Sequence, residues 1–128
     1  LHTFYPPLPP AYFSDTRNNH SLVSHSMISA GCKIVGATIK KSVLGFRCSA
    51  DDGATVEDSV LIGDIKIGKG CKIRRAIIDR HVEIAPGFTL GYDTEADMKL
   101  VDNNDKTCPQ MSKNGIIVIP KGMRLGFD

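Results

Sequence analysis

The chain has little of what marks several common functional classes. Its charges nearly cancel: sixteen Lys and Arg stand against fourteen Asp and Glu, a net charge of +2 over 128 residues. That balance argues against general nucleic-acid binding, which draws on strongly basic domains. No apolar run approaches membrane-spanning length. The four cysteines, Cys32, Cys48, Cys71 and Cys108, form no C-x-x-C pair, which argues against a zinc site. There is no phosphate loop, no H-E-x-x-H, no G-x-S-x-G and no dinucleotide fingerprint. Residues 28–90 show no i, i+3, i+4, i+7 apolar stripe, which excludes an amphipathic helix there.

What is present is a repeat. Gly36, Gly53, Gly70 and Gly87 are spaced by seventeen residues. Gly36-Ala-Thr-Ile-Lys-Lys-Ser-Val-Leu44 aligns with Gly53-Ala-Thr-Val-Glu-Asp-Ser-Val-Leu61 and with Gly70-Cys-Lys-Ile-Arg-Arg-Ala-Ile-Ile78. A fixed period means stacked copies of one unit. Within it, aliphatic residues recur in steps of five or six: Ile28, Ile34, Ile39, Leu44, Ala50, Val56, Leu61, Ile67, Ile73, Ile78, Ile84 and Leu90. Three short arcs therefore make one turn. This is the hexapeptide pattern of a single-stranded parallel β-helix, an all-β fold of triangular coils. The aliphatic residue points inward. So does a smaller fifth residue, as at Cys32, Ala54, Cys71 and Val82. The repeated glycines fall at corners, where φ > 0 is accessible without a Cβ. Hexapeptide-repeat enzymes, which this pattern resembles, wind left-handed, so a left-handed coil is expected by analogy.

The length fits one domain, organised in three segments. Residues 1–20 carry the proline-marked stretch Tyr5-Pro-Pro-Leu-Pro-Pro-Ala-Tyr-Phe13, expected as an extended connector from a missing N-terminal domain. Residues 21–92 hold the β-helix coils. Residues 93–128 hold a short helix at 93–99 capped by Asp93 or Thr94, a polar loop and one closing strand, Gly115-Ile-Ile-Val-Ile-Pro120. The beginning at Leu1 and the connector lead us to expect the C-terminal piece of a longer protein. Three of the cysteines sit at inward repeat positions, which favours free thiols and a reducing, cytoplasmic setting over a disulfide framework. The open end of such a solenoid exposes strand edges that invite pairing with a neighbouring domain or subunit.

The polar residues offer three places for chemistry. Lys40-Lys41, Glu57-Asp58 and Arg74-Arg75 stack in successive coils, about 4.8 Å apart. A surface ladder of ion pairs is the favoured reading of that column, and a ligand site the lesser one. His81 and His25 stand where a hexapeptide acyltransferase would hold its general base, beside the plainer reading of exposed coil histidines. Arg80, His81, Lys121 and Arg124 would converge if the closing strand packs back along the helix. Converged Arg and Lys hold phosphorylated metabolites through charge-assisted hydrogen bonds; solvated surface charge is the competing reading.

Several segments carry a family resemblance. They are Leu8-Pro-Pro-Ala-Tyr-Phe13, Ser42-Val-Leu-Gly-Phe-Arg47, Gly70-Cys-Lys-Ile-Arg-Arg-Ala-Ile-Ile-Asp-Arg80 and Asn114-Gly-Ile-Ile-Val-Ile-Pro-Lys-Gly122. On these the chain resembles the C-terminal β-helix domain of the ADP-glucose pyrophosphorylases (glucose-1-phosphate adenylyltransferases). Val101 to Lys113 departs from the family pattern. The resemblance implies a parent enzyme that joins ATP and glucose 1-phosphate into ADP-glucose and pyrophosphate, for glycogen or starch synthesis. Mg²⁺ acts with ATP in a catalytic domain absent from these residues, so this chain alone is expected to be inactive and to hold no cofactor. The implied partners are its own N-terminal catalytic domain, further subunits of a homo-oligomer (a tetramer in the parent) and glycolytic phosphate effectors, with neither nucleic acid nor membrane. The implied location is the bacterial cytoplasm, or the plastid in a plant. The family's effector-binding arginine falls on Arg80 and its basic residue after the last strand on Lys121, with Arg124 a looser match. The alternatives are a hexapeptide acyltransferase using acyl-CoA and a purely structural β-helix.

Overall fold

A computed structural model describes residues 10–17, 19–92 and 94–127. Strands of two to four residues follow one another around three faces. The first coil holds β1 (Tyr12–Ser14), β2 (Leu22–Ser24) and β3 (Met27–Ile28); the second holds β4 (Lys33–Val35), β5 (Thr38–Lys40) and β6 (Val43–Phe46). The third holds β7 (Ser49–Ala50), β8 (Thr55–Glu57) and β9 (Val60–Gly63); the fourth holds β10 (Lys66–Ile67), β11 (Lys72–Arg74) and β12 (Ala76–Ile78). The fifth begins with β13 (Glu83–Ile84) and β14 (Thr89–Leu90). The chain then leaves the solenoid for helix α1 (Thr94–Leu100) and β15 (Gln110–Met111), and returns as β16 (Ile117–Ile119) and β17 (Arg124–Leu125).

Each face is one sheet. Face A stacks β1-β4-β7-β10-β13-β17, face B stacks β2-β5-β8-β11-β14, and face C stacks β3-β6-β9-β12-β16 with β15 at its end. Among the described residues all pairings between coils are parallel, and only β15 runs antiparallel, against β16. Strands this short are held by the coil above and below rather than by their own length.

The register accounts for the aliphatic beat. Ile34, Ala50, Ile67 and Ile84 stack on face A, Ile39, Val56, Ile73 and Leu90 on face B, and Leu44, Leu61 and Ile78 on face C. All are buried, each no more than 2% exposed. Cys32, Ala54, Cys71 and Val82 are buried beside them, as the smaller inward residues. In the first coil the same columns end at Phe13, Val23 and Ile28. Phe13 and Val23 are exposed, so that end of the solenoid is uncovered among the described residues.

The structure differs from the sequence reading at both ends. The connector boundary at residue 20 cuts through the first coil, because Tyr12–Ser14 already pairs with β4. The closing segment is more than one terminal strand. Ile117 and Ile119 complete the fifth coil over Ala76 and Ile78, and Leu125 opens a sixth over Ile84. The sequence period is interrupted by the helical excursion, while stacking in space is not. The prolines before Pro10, and the capping roles of Asp93 and Thr94, fall outside what is described.

Corners close each coil. Gly36, Gly53, Gly70 and Gly87 have φ of 64° to 79°. The other two corners use ordinary residues in the same left-handed region: His25, Lys41, Asp58 and Arg75 in one column, and Arg47, Asp64 and His81 in the other, with φ of 47° to 60°. Beside the first of these runs a serine ladder. Ser26, Ser42 and Ser59 each donate to the carbonyl two residues back and accept the backbone N–H of the next coil, at Ser42, Ser59 and Ala76. Ser42 and Ser59 are buried, and these bonds satisfy them.

The start of the solenoid is pinned by Asp52, whose Oδ1 accepts from Asn19 Nδ2 at 2.6 Å and Thr16 Oγ1 at 2.8 Å. These donors hold its carboxyl below the usual carboxylate range. A carboxylate with a depressed folded pKa adds stability above its unfolded pKa and loses it on acidification. Wild type is therefore expected to lose stability below about pH 4, and Asp52→Asn to show less of that acid-side loss, in urea titrations across pH. In the core, Ile73→Ala is expected to cost about 2–5 kcal/mol, and the neighbouring outward Lys72→Ala less than about 0.5 kcal/mol, by the same measurement.

Candidate functional site

The sequence-level ladder of ion pairs does not form. Lys40, Glu57 and Arg74 stack in register, yet among the described residues no ion pair joins that column or the Lys41, Asp58 and Arg75 column beside it. Arg74 is drawn elsewhere. Its Nε and Nη2 donate to the Gly91 carbonyl at 3.3 and 3.0 Å, and its guanidinium lies 4.6 Å from the Tyr92 ring centre. The backbones meet closely as well: Gly91 has φ of +82°, and a Cβ there would sit 1.9 Å from the Arg74 carbonyl oxygen, so the position calls for glycine. Arg75 donates to the Asn114 carbonyl. Both arginines thus fasten the excursion where it leaves and rejoins the solenoid.

The ion pairs form at the other corner. Arg47, Asp64 and His81 occupy it in consecutive coils. Arg47 grips Asp64 with two nitrogens, Nε at 2.6 Å and Nη2 at 2.8 Å, and His81 Nδ1 lies 3.7 Å from the same carboxylate. The next coil adds Lys121 and Gly122: the Gly122 N–H donates to the Arg80 carbonyl at 2.9 Å. The closing segment therefore does pack back along the helix and sets Lys121 one coil above Arg80.

A groove runs beside this corner. Phe46 and Ile62 form its apolar wall, and Arg47, Asp64, Arg80 and His81 its polar one. Asp64 neutralises Arg47. Arg80 and Lys121 are exposed, and among the described residues neither is ion-paired. Two free cations on adjacent coils are suited to an anion with several oxygens, such as a phosphate ester. Arg124 is placed differently. It stands on face A opposite Glu83, 3.7 Å from its carboxylate, with the guanidinium 4.4 Å from the Phe127 ring centre. Neither Arg124 nor Lys121 is among the residues lining the groove. Arg47 and Asp64 were legible in the sequence by the seventeen-residue step that ends at His81. The sequence reading applied that step to the charge column at 41, 58 and 75 and not to this one.

The remaining candidates offer less. His25 lies at its corner with Ser24 Oγ 2.8 Å from Nδ1. The Cys32 thiol beside it, together with burial, pushes the Cys48 thiol up, and burial pushes up Cys71; such thiols are poor nucleophiles. Asp102, Asp105 and Cys108 bring ligand atoms within 4.8 Å of one another. Their acceptors serve local turns, Asp102 from the Asn104 N–H and Asp105 from the Thr107 N–H and hydroxyl.

Three faces of short parallel strands, a seventeen-residue coil and left-handed corners define a hexapeptide-repeat β-helix protein. A family profile described as "GlmU-like, C-terminal hexapeptide" matches residues 9–119, and the chain belongs to that family. It is also similar to proteins named glucose-1-phosphate adenylyltransferase. The one from Photobacterium profundum is 47% identical over 127 residues, 99% of this chain and 29% of the relative. Those from Aliivibrio fischeri and Anaeromyxobacter sp. are 43% and 36% identical, over 99% and 94% of this chain and 29% and 28% of the relatives. The chain thus spans less than a third of the length of these curated relatives.

Asp64→Asn removes the negative charge that both ion pairs at this corner share. The pairs are solvent-exposed, so the stability change is expected to stay within about 1 kcal/mol in urea denaturation. A larger loss would mean that the corner itself depends on the Arg47 grip.

Proposed function

We propose that this chain acts as the C-terminal β-helix domain of a glucose-1-phosphate adenylyltransferase, and that its Arg80–Lys121 corner binds the phosphate of a regulatory metabolite. The observation that carries the first part is 47% identity across 99% of the chain to a relative of that name. The second part rests on two exposed cations stacked one coil apart and free of ion pairs among the described residues, of which Arg80 lines the groove walled by Phe46 and Ile62. On this reading ATP, Mg²⁺ and glucose 1-phosphate are handled by a nucleotidyltransferase domain outside these residues. The solenoid presents a rigid corner to it and assists assembly of the subunits.

A β-helix suits regulation because its coils move little relative to one another. A bound phosphate at a corner would bias how a neighbouring domain seats on the solenoid, which is a difference in binding free energy between two arrangements. Arg124, held by Glu83 and Phe127, contributes less on this reading.

The test uses the full-length enzyme with Arg80→Ala, Lys121→Ala and Arg124→Ala. ADP-glucose formation is followed against a panel of phosphorylated metabolites. The first two variants are expected to lose at least about tenfold in effector affinity, as removal of a charge-assisted contact does, with Arg124→Ala close to wild type. An unchanged effector response in both would remove this corner from the site. Formation of ADP-glucose by the 128-residue chain alone would contradict the division of labour.

A further inference from the structure

Two of the buried cysteines are neighbours in space. Where each coil enters face A, a backbone N–H donates to a carbonyl of the next coil: Tyr12 to Cys32, Lys33 to Cys48, Ser49 to Ile65, Lys66 to Val82 and Glu83 to Met123, at 2.8 to 3.0 Å. That ladder sets Ala11, Cys32, Cys48, Ile65, Val82 and Met123 in one inward column, and cysteine occurs in it twice running. Cys71 has no such neighbour, because its own column runs through Ala54, Cys71 and Phe88. Cys108 lies on the excursion, away from both.

The two thiols point the same way. Cys32 Sγ donates to the Gly45 carbonyl at 3.1 Å, and Cys48 Sγ lies 4.0 Å from the carbonyl of the next residue, Phe46. In-register strands put their Cα atoms about 4.8 Å apart, inside the range of about 4.4–6.8 Å across which a disulfide closes. Parallel Cβ atoms start wider apart than the roughly 3.8 Å that the bond prefers, so a bridge here closes under some strain and is readily reduced. The Cys48 side chain, above all, holds the Cys32 thiol below its ordinary range, while Cys48 itself is held up. Cys32 is thus the sulfur that ionises, and Cys48 the one that keeps its proton.

Both cysteines are 1% exposed, and one coil covers them from the open end. Ala11, the residue over Cys32 in the column, is only half-buried and belongs to the first coil. The strands of that coil stand at the ends of their sheets. Thr16 and Asn19 fasten it to Asp52. Terminal units of this kind open locally more often than internal ones.

We propose that Cys32 and Cys48 are a modification site, a reversible dithiol–disulfide couple oxidised by a small hydroperoxide that enters when the first coil opens. The Cys32 thiolate gives an electron pair to a peroxide oxygen. The O–O bond breaks, the departing oxygen takes up the proton that Cys32 gave up, and Cys32 becomes a sulfenic acid. Cys48 Sγ then attacks Cys32 Sγ. The S–S bond forms, the S–O bond breaks, and hydroxide leaves with the Cys48 proton as water. Two thiols lose two electrons in all, and one peroxide gains them. A dithiol reverses the bridge by exchange. Once formed, the bridge ties the second coil to the third beside Arg47, the residue before Cys48, at the foot of the corner that Arg47 shares with Asp64 and His81.

The test treats the folded 128-residue chain with hydrogen peroxide and counts thiols after denaturation. Cys108→Ala removes the one thiol that is not buried, and in that background the count is expected to fall from three to one and to recover with dithiothreitol. Peptide mapping of wild type without reduction is expected to join the Cys32 peptide to the Cys48 peptide, with the loss of two hydrogens in mass, so the outcome does not depend on a variant's folding. Cys32→Ala and Cys48→Ala, with circular dichroism verifying the fold, are each expected to form no internal bridge. Asp52→Ala releases Thr16 and Asn19 and is expected to speed bridging about threefold or more. Thiols that survive peroxide, oxidation that stops on a single sulfur, or a bridge mapped to Cys71 or Cys108 overturns the couple. A bridging rate indifferent to Asp52→Ala overturns entry through the first coil.

Discussion

The corner is the constraint on which the rest depends. Strands of two to four residues close a coil only if the backbone turns sharply at every vertex, and in this chain those vertices lie at positive φ. One column meets the requirement with glycine. The other two meet it with Lys, Arg, Asp and His, which cost more in that region. From the second coil on, each such residue is held by a backbone hydrogen bond to the coil below, as Asp64 is to the Phe46 carbonyl and Asp58 to the Lys40 carbonyl. Stacking therefore supplies what local propensity does not. A single coil would not hold these corners; five in succession do.

The corners also decide where function can sit. Inward positions are taken by a continuous aliphatic core, and face A and B rows are plain polar surface. The vertices, like the strand ends at Lys40, Glu57 and Arg74, place long charged side chains in columns at a fixed coil spacing. Where a column alternates in sign and its members reach one another, as with Arg47, Asp64 and His81, it neutralises itself. Where cations have no ion-pair partner among the described residues, as with Arg80 and Lys121, it leaves charge exposed, and this is the corner proposed to hold an anion. The serine ladder beside the first polar column shows the same economy inside the wall: three hydroxyls satisfy three amides and three carbonyls in succession.

The core was legible because burial follows the five- and six-residue beat directly; every aliphatic residue from Ile34 to Leu90 in that series is buried. The glycine corners were legible for the same reason. The closing strands were not, because the excursion through α1 and β15 breaks the count, and parallel stacking of Ile119 on Ile78 depends on space rather than sequence distance. The charge columns were legible as columns but not as contacts. Arg74 had two uses, a carboxylate neighbour or the Gly91 carbonyl and Tyr92 ring, and only the position of the exiting chain decides between them. The pairing of Arg80 with Lys121 needed the closing strand to return, a condition the structure meets.

The central claim, that the returning strand completes an anion-binding corner, is tested most directly by backbone and guanidinium chemical shifts of the 128-residue chain during titration with a sugar phosphate. The account predicts shifts centred on Arg80, His81, Lys121 and Gly122, with Arg124 and face A silent. Shifts centred on face A or on the Asp102–Cys108 loop, or no shifts at all, would contradict it.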